Sequence, residues 1–170
     1  LLAGTASPHT ELEKSLAEFL QKEAALVFSS GYHTNTGILA ALLGSQDIIF
    51  FDRLCHASII DGVKLSGAHF SSFHHNDLNH LKKLLEKKRS QARNAVIVTE
   101  GVFSMDGDSP PLKELISLAH DFDALIYLDE AYSCGLFGPQ GRGLAAEENV
   151  LNQIDIHIGT LSKTFGSQGG

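Results

Sequence analysis

Apolar positions along the chain change period repeatedly, from the three-to-four spacing of a helix to short unbroken runs, and that alternation lays out the fold. In SPHTELEKSLAEFLQKE, Leu12, Leu16, Phe19 and Leu20 recur at helical spacing, and Thr10 followed by Glu13 resembles a capping box. Six runs rich in Val, Ile and Phe then read as strands: AALVF (24–28), DIIFF (47–51), HFSSF (69–73), AVIVT (95–99), ALIYLD (124–129) and DIHIG (155–159). Helix-like segments separate them at 32–43, 57–66, 77–89 and 111–121. Pro111 suits a first helical turn, where no amide proton is needed. Strict alternation of strand and helix predicts an α/β fold, a mostly parallel sheet with helices on both faces. No internal repeat, low-complexity tract or linker divides it. The longest irregular piece, SCGLFGPQGRG (133–143), holds four of the 16 glycines and one of the 4 prolines, and is expected to be an ordered loop near the site.

Composition narrows the partners. With 170 residues, 43% of them hydrophobic, the chain can bury the core of one domain. The longest apolar stretch, Ile38 to Leu43, is far too short to cross a bilayer, so no membrane partner is expected. LLAGTASPH has neither an initiator Met nor a basic region ahead of an apolar run. A secretory signal is therefore not expected, and the true N-terminus is expected to lie upstream. A net charge of -7 argues against nucleic acid, and the basic KKLLEKKR reads as a solvated helix face around Leu84 and Leu85. Two cysteines, Cys55 and Cys134, are too few and too far apart for a disulfide framework or zinc knuckle; a reducing cytoplasmic setting fits.

Ligands of open parallel sheets bind beyond the carboxyl ends of the strands. Here unusual polar chemistry follows the predicted strands: SSGYHTN, DRLCHAS, EGVFSMDGD, DEAYSCG and TLSK. Ser29, Ser30 and Gly31 precede a helix whose free N–H groups and dipole would favour an anion such as phosphate; taken alone, they are better explained by a capped helix start with Gly31 easing the turn. Asp129 closes an apolar strand, so its carboxylate either leaves the core towards the pocket, meets a cation, or caps the next turn. Lys163 follows a strand end. A lysine in a partly apolar cleft loses its proton more readily and can act as a nucleophile towards a carbonyl; an exposed loop lysine is the alternative reading. HFSSFHHND, with His80 beyond it, is the densest histidine group. His69 shares a strand face with Ser71 and Phe73 while His74 and His75 point opposite ways, so a common metal shell is awkward and no metal is expected. His56 differs, because it sits in a strand-end loop with the other candidates. A phosphate seat, a carboxylate, an imidazole able to stack and a nucleophilic lysine make the set that pyridoxal 5′-phosphate requires.

HTELE, FSSGYHTN, DRLCHASIIDG, HND, TEGVFSMDGD, PL, LDEAYSCGLFGPQGRG and GTLSKTFGSQGG occur in an order and spacing that resemble the α-oxoamine synthases over nearly the whole chain. These are fold-type I pyridoxal-phosphate enzymes that condense an amino acid with an acyl thioester. The resemblance implies that Lys163 holds the cofactor and moves protons at the amino-acid α-carbon. Asp129 would pair with the pyridine nitrogen and His56 would stack on the ring. Gly31 and Tyr32 would border the phosphate, Ser104 would lie beside the ring, and Thr160 would bind the phosphate. One departure stands out: the family usually has His where this chain has Tyr132, and that His is expected to bond the ring oxygen. A phenol can donate to the same atom, or the change marks a weakened enzyme.

Within the family the motifs look most like the members that join alanine to a pimeloyl thioester in biotin synthesis. Relatives using glycine or serine share most of them. The resemblance also implies that residues 1–170 form an incomplete large domain, lacking an N-terminal arm, a final sheet strand and a C-terminal small domain. The intact protein would be a homodimer, and the isolated segment poorly soluble and inactive. Two other readings compete, a catalytically silent family member and a nucleotide-binding α/β domain. The second lacks both G-x-G-x-x-G and G-x-x-x-x-G-K-[ST].

Overall fold

The N-terminal helical run forms α1 (Ser7–Phe19) in a computed structural model that describes residues 4–170. Part of LLAGTASPH, the stretch on which the missing leader was judged, therefore lies outside the described residues. The capping-box expectation is corrected: α1 starts earlier than Thr10, at an Ala6 N-cap, so Thr10 and Glu13 are both inside the helix. Glu13 instead accepts the Val27 amide at 3.2 Å, tying the following extended segment back to the helix.

Alternation then proceeds as expected: α2 (Gly31–Leu42), β1 (Ile48–Asp52), α3 (Ala57–Ser66), β2 (His69–Phe73), α4 (Leu78–Lys88), β3 (Ala95–Glu100), α5 (Leu112–Asp121), β4 (Leu125–Asp129), α6 (Leu144–Glu147) and β5 (Ile156–Ile158). Side chains start several of these helices: Ser30 accepts from the His33 amide, His56 from Ser58, and Asp77 from His80. Pro111 is the N-cap of α5 and not its first turn. The loop 133–143 is ordered around a short 3-10 turn, Pro139–Gly141.

The five strands pair in the order β2-β1-β3-β4-β5, all parallel. This order reverses its direction of growth between β1 and β3, which opens a crevice beyond the carboxyl ends of those strands. Alternate residues feed two cores. Phe50, Ile97, Ile126 and Leu128 pack under α4 and α5, whereas Ile49, Val98, Tyr127 and Ile158 pack under α2 and α3. Each fully buried aliphatic chain contributes about 1.5–3 kcal/mol, which is why β1, β3 and β4 read as continuous apolar runs.

The run 24–28 is not a strand, contrary to expectation. It is extended and apolar, but a ladder needs a partner at several residues. Here Phe28 exchanges two backbone bonds with Gly170, at 2.8 and 3.1 Å. Between this segment and the outer edge of β5 lies an apolar cavity of about 500 Å³, bordered by Leu20, Leu26, Ile38, Leu42, Ile156 and Phe165. Lys22 bridges its floor, donating to the carbonyls of Leu151 and Ile154 at 2.7 and 2.6 Å. Burial lowers its pKa, against the nearby Asp155 and Glu130 charges that support the ammonium.

Candidate active site

The expected convergence occurs. A cavity of about 270 Å³ at the carboxyl ends of the strands is lined by Gly31, Tyr32, His56, Asp129, Tyr132, Thr160 and Lys163, with Asn35, Ser58 and Glu100 between them. Ser104 is not among them; it is exposed in the turn after β3.

The α2 N-terminus forms one wall. Ser30 caps the His33 amide at 3.1 Å, and no described residue accepts from the Gly31 or Tyr32 amides, which remain available to an anion. A Cβ on Gly31 would lie 3.3 Å from both Cβ and Oγ1 of Thr160, so glycine permits the close approach of these two segments. Thr160 is buried and its hydroxyl reaches the Gly169 carbonyl at 3.1 Å and Ser162 Oγ at 2.9 Å. The Tyr32 phenol turns the other way, donating to Asp61, and that bond raises its pKa.

At the cavity base, Asp129 accepts from Asn35 Nδ2 at 2.8 Å and from the Ala131 amide at 3.0 Å. Both the pocket placement and the local turn contact are therefore present. Burial raises the Asp129 pKa, and its two hydrogen bonds and the positive Lys163 oppose the rise. Asn35 is itself buried, accepts from the Tyr127 hydroxyl at 2.6 Å and donates to Ser58 Oγ at 2.9 Å. Ser58 Oγ in turn meets His56 Nδ1 at 2.7 Å, and the Ser58 amide donates to the same nitrogen at 3.2 Å. With Nδ1 accepting, the network assigns the His56 ring proton to Nε2.

Glu100 and Asn35 were missed by sequence reasoning. Glu100 ends β3 in register with Asp129, accepts the His56 amide, and is pushed up to about 7 by burial and then by the Asp129 charge. Both carboxylates, at adjacent strand ends in one cavity, have raised pKa values, and the positive Lys163 opposes each rise. The signal was available: Glu100 closes AVIVT as Asp129 closes ALIYL. Asn35 had a weaker one, an amide in the apolar helix GYHTNTGILAAL.

Lys163 lies in the exposed loop after β5, its Nζ 3.1 Å from the centroid of the Tyr132 ring. It is close enough for its charge to act on both Asp129 and Glu100. Phe165 anchors that loop on α1 by an edge contact with Phe19, centroids 6.2 Å apart. The histidine cluster resolves into two separate arrangements, His74 against His80 at 4.1 Å and His75 between two aspartates. Cys55 and Cys134 are buried free thiols whose pKa values burial raises.

Behind the cavity, Glu130 points to the opposite face from Asp129. It accepts the Ala145 amide and His157 Nε2, each at 2.9 Å, and is completely buried. Gly143 must be glycine: its φ is 101° and a Cβ would meet Glu130 Oε2 at 1.7 Å.

Against known proteins, the model for aminotransferase class I and II matches residues 2–170. This chain belongs to the aminotransferase class I and II family. Among curated relatives of this family member, 8-amino-7-oxononanoate synthase from Pelobacter propionicus is 52% identical over 169 residues, 99% of this chain and 43% of the relative. The enzyme of that name from Geotalea daltonii is 49% identical over the same extent. Among solved structures, serine palmitoyltransferase of Sphingomonas wittichii superposes with a TM-score of 0.95 at 41% identity, covering 99% of this chain and 42% of that one. The 8-amino-7-oxononanoate synthase of Francisella tularensis gives 0.84 at 33% identity, covering 97% and 47%. Both the fold and the α-oxoamine synthase resemblance are upheld. The chain spans less than half the length of these relatives. Among the described residues, no helix is long and apolar enough to cross a membrane.

Proposed function

We propose that the whole protein is a pyridoxal-phosphate-dependent α-oxoamine synthase that joins L-alanine to a pimeloyl thioester, giving 8-amino-7-oxononanoate for biotin synthesis. In this reaction a carbon–carbon bond forms between the amino-acid α-carbon and the thioester carbonyl. The carbon–sulfur bond breaks, and the amino-acid carboxylate leaves as carbon dioxide. The observation that carries the reading is one cavity lined by Lys163, Asp129, His56 and an open helix N-terminus. The names of the relatives point the same way.

The donor set fits the cofactor. Gly31 and Tyr32 amides and the Thr160 hydroxyl suit its phosphate, the Lys163 amine its aldehyde, the Asp129 carboxylate its ring nitrogen, the His56 face its ring, and the Tyr132 phenol its ring oxygen. Bound there, the cofactor supplies an electron sink for charge developing at the α-carbon. Asp129 keeps a negative charge at the ring nitrogen, and Asn35 aims it. Lys163 carries protons to and from the α-carbon. His56, its Nε2 outside the Ser58 network, would cover the ring. Ser104, exposed in the turn after β3, would come beside the ring only in the complete protein.

Residues 1–170 would form most of a large domain. A further strand beyond Gly170 and a small domain would complete the pocket, with two chains meeting in a cytoplasmic homodimer. The apolar cavity beside β5 and the Phe28–Gly170 pairing support such a strand. A serine-using activity is the second reading, favoured by the 0.95 superposition on serine palmitoyltransferase. Incubating the full-length protein and cofactor with Gly, Ala or Ser and several acyl thioesters, and weighing the products, separates the two. Alanine with pimeloyl thioester should give the product; condensation of serine alone would overturn the proposal.

A further inference from the structure

A second constellation lies at the carboxyl edge of the sheet, outside the cavity just described. His75, in the β2–α4 connection, places Nδ1 3.0 Å from Asp52 Oδ1 and Nε2 2.8 Å from Asp108 Oδ2. Its side chain is only 14% exposed, and Asp52 is fully buried. A neutral imidazole has one N–H, so it can satisfy one of these carboxylates and must turn a lone pair on the other. Only the imidazolium donates to both. The charged groups facing it are Asp52 at the end of β1 and Asp108 with Asp106 in the β3–α5 connection, all acidic.

The bridge joins the loops that carry site residues. Asp52 also accepts the amides of Leu54 and Asn76, at 2.9 and 2.8 Å, so it shapes the turn that leads to His56. Asn76 Nδ2 reaches Asp108 Oδ2 at 3.0 Å and the Ser109 carbonyl at 3.2 Å. The Phe103 amide donates to the Asp108 carbonyl, and the Gly107 amide to that of Phe103, so the turn containing Ser104 is closed on itself. The His75 ring also makes an edge contact with Phe103, centroids 4.5 Å apart. Three connections, after β1, β2 and β3, thus meet at the His75 side chain, with Asn76 bonding beside it.

We infer that His75 is a positioning residue, an imidazolium clamp that holds the turn 101–109 and the His56 turn in place, and that losing one of its protons releases the turn. Burial works against the charge, but the hydrogen bonds to Asp52 and Asp108 outweigh it and raise the His75 pKa. The sign follows: the clamp is fully engaged below the ordinary histidine value of about 6.5 and lost as pH rises through the higher value in the folded protein. Alkaline conditions therefore loosen a turn that a pH near 6 leaves intact.

The test uses the full-length protein labelled with ¹⁵N-histidine. Both His75 ring nitrogens should show protonated shifts at neutral pH and titrate above the ordinary range; a neutral tautomer at pH 6 would overturn the inference. Amide exchange across 101–109, corrected for its intrinsic pH dependence, should accelerate as His75 titrates. His75→Gln should raise it at neutral pH by about tenfold or more, the factor expected from losing a charge-assisted hydrogen bond. His75→Arg supplies a permanent cation with donors for both carboxylates, and should keep the turn protected at a pH where the parent has loosened. If Arg protects no better than Gln, or if the pH dependence survives in His75→Gln, the clamp is refuted.

Discussion

Replacing Glu130 by Ala removes a carboxylate from the buried layer directly behind the site. Two donors lose their acceptor, the Ala145 amide and His157 Nε2, both at 2.9 Å. Hydrogen bonds to an ionised group contribute about 1.5–3 kcal/mol each, so the pair accounts for about 3–6 kcal/mol, before the cavity left under the loop. That is a large share of the 5–15 kcal/mol, roughly, that holds a typical fold together. Among the described residues neither donor has another acceptor, and His157 Nδ1 already lacks a partner. Urea unfolding of the cofactor-free full-length protein, with exchange of the Ala145 amide as a local probe, measures the loss. A double-mutant cycle with His157→Leu should show coupling of about 1.5 kcal/mol or more, because each single change strands the other's partner. A Glu130→Ala protein within about 1 kcal/mol of the parent, or two single losses that simply add, would refute the reasoning.

Borohydride reduction of the cofactor-loaded protein should label Lys163, and Lys163→Ala should lose the visible band of bound cofactor; a label on Lys64 or Lys113 would reassign the nucleophile. Asp129→Asn keeps the contact to Asn35 but removes the charge, so turnover should fall at least a hundredfold, about 3 kcal/mol, while cofactor still binds, as absorbance titration and steady-state rates would show. Tyr132→His should keep or improve activity and Tyr132→Phe should shift the absorbance of bound cofactor; unchanged spectra in both would place Tyr132 away from the ring. Glu100 binds its proton more tightly folded than unfolded, so in the cofactor-free protein it costs stability as pH rises from its ordinary carboxylate value through about 7, at most about 3 kcal/mol. Glu100→Gln should flatten that part of the stability profile in urea unfolding measured from pH 5 to 8.

The parallel sheet was legible because β1, β3 and β4 are buried on both faces and their apolar runs have no competing period. The segment 24–28 has the same composition, yet strand pairing depends on a neighbour that composition does not reveal. The α1 start was misjudged for a related reason: Thr10 and Glu13 have the spacing of a cap, but Glu13 is drawn to the Val27 amide, a tertiary contact. Around the cavity, residues in recognisable strings were found. Asn35 and Glu100 were not, because their importance lies in partners distant in sequence, Asp129 and His56. Ser104 shows the converse, a motif residue that the fold leaves at the surface. The Tyr132 ring under Lys163 Nζ is likewise a relation in space and not in sequence.

Asp129 and Glu130 stand back to back, one carboxylate in each layer of the sandwich. Successive residues of an extended chain face opposite sides, so their assignment depends only on an even or odd count from the start of β4. A single-residue deletion within Leu125–Leu128 would preserve an apolar strand and every functional letter after it. It would also turn Asp129 towards His157 and Glu130 towards Asn35, exchanging the group that serves the cavity with the one that supports the wall. In this part of the gene, substitutions that alter the apolar residues are therefore expected to be graded in effect, whereas changes in length by one codon should be all-or-none.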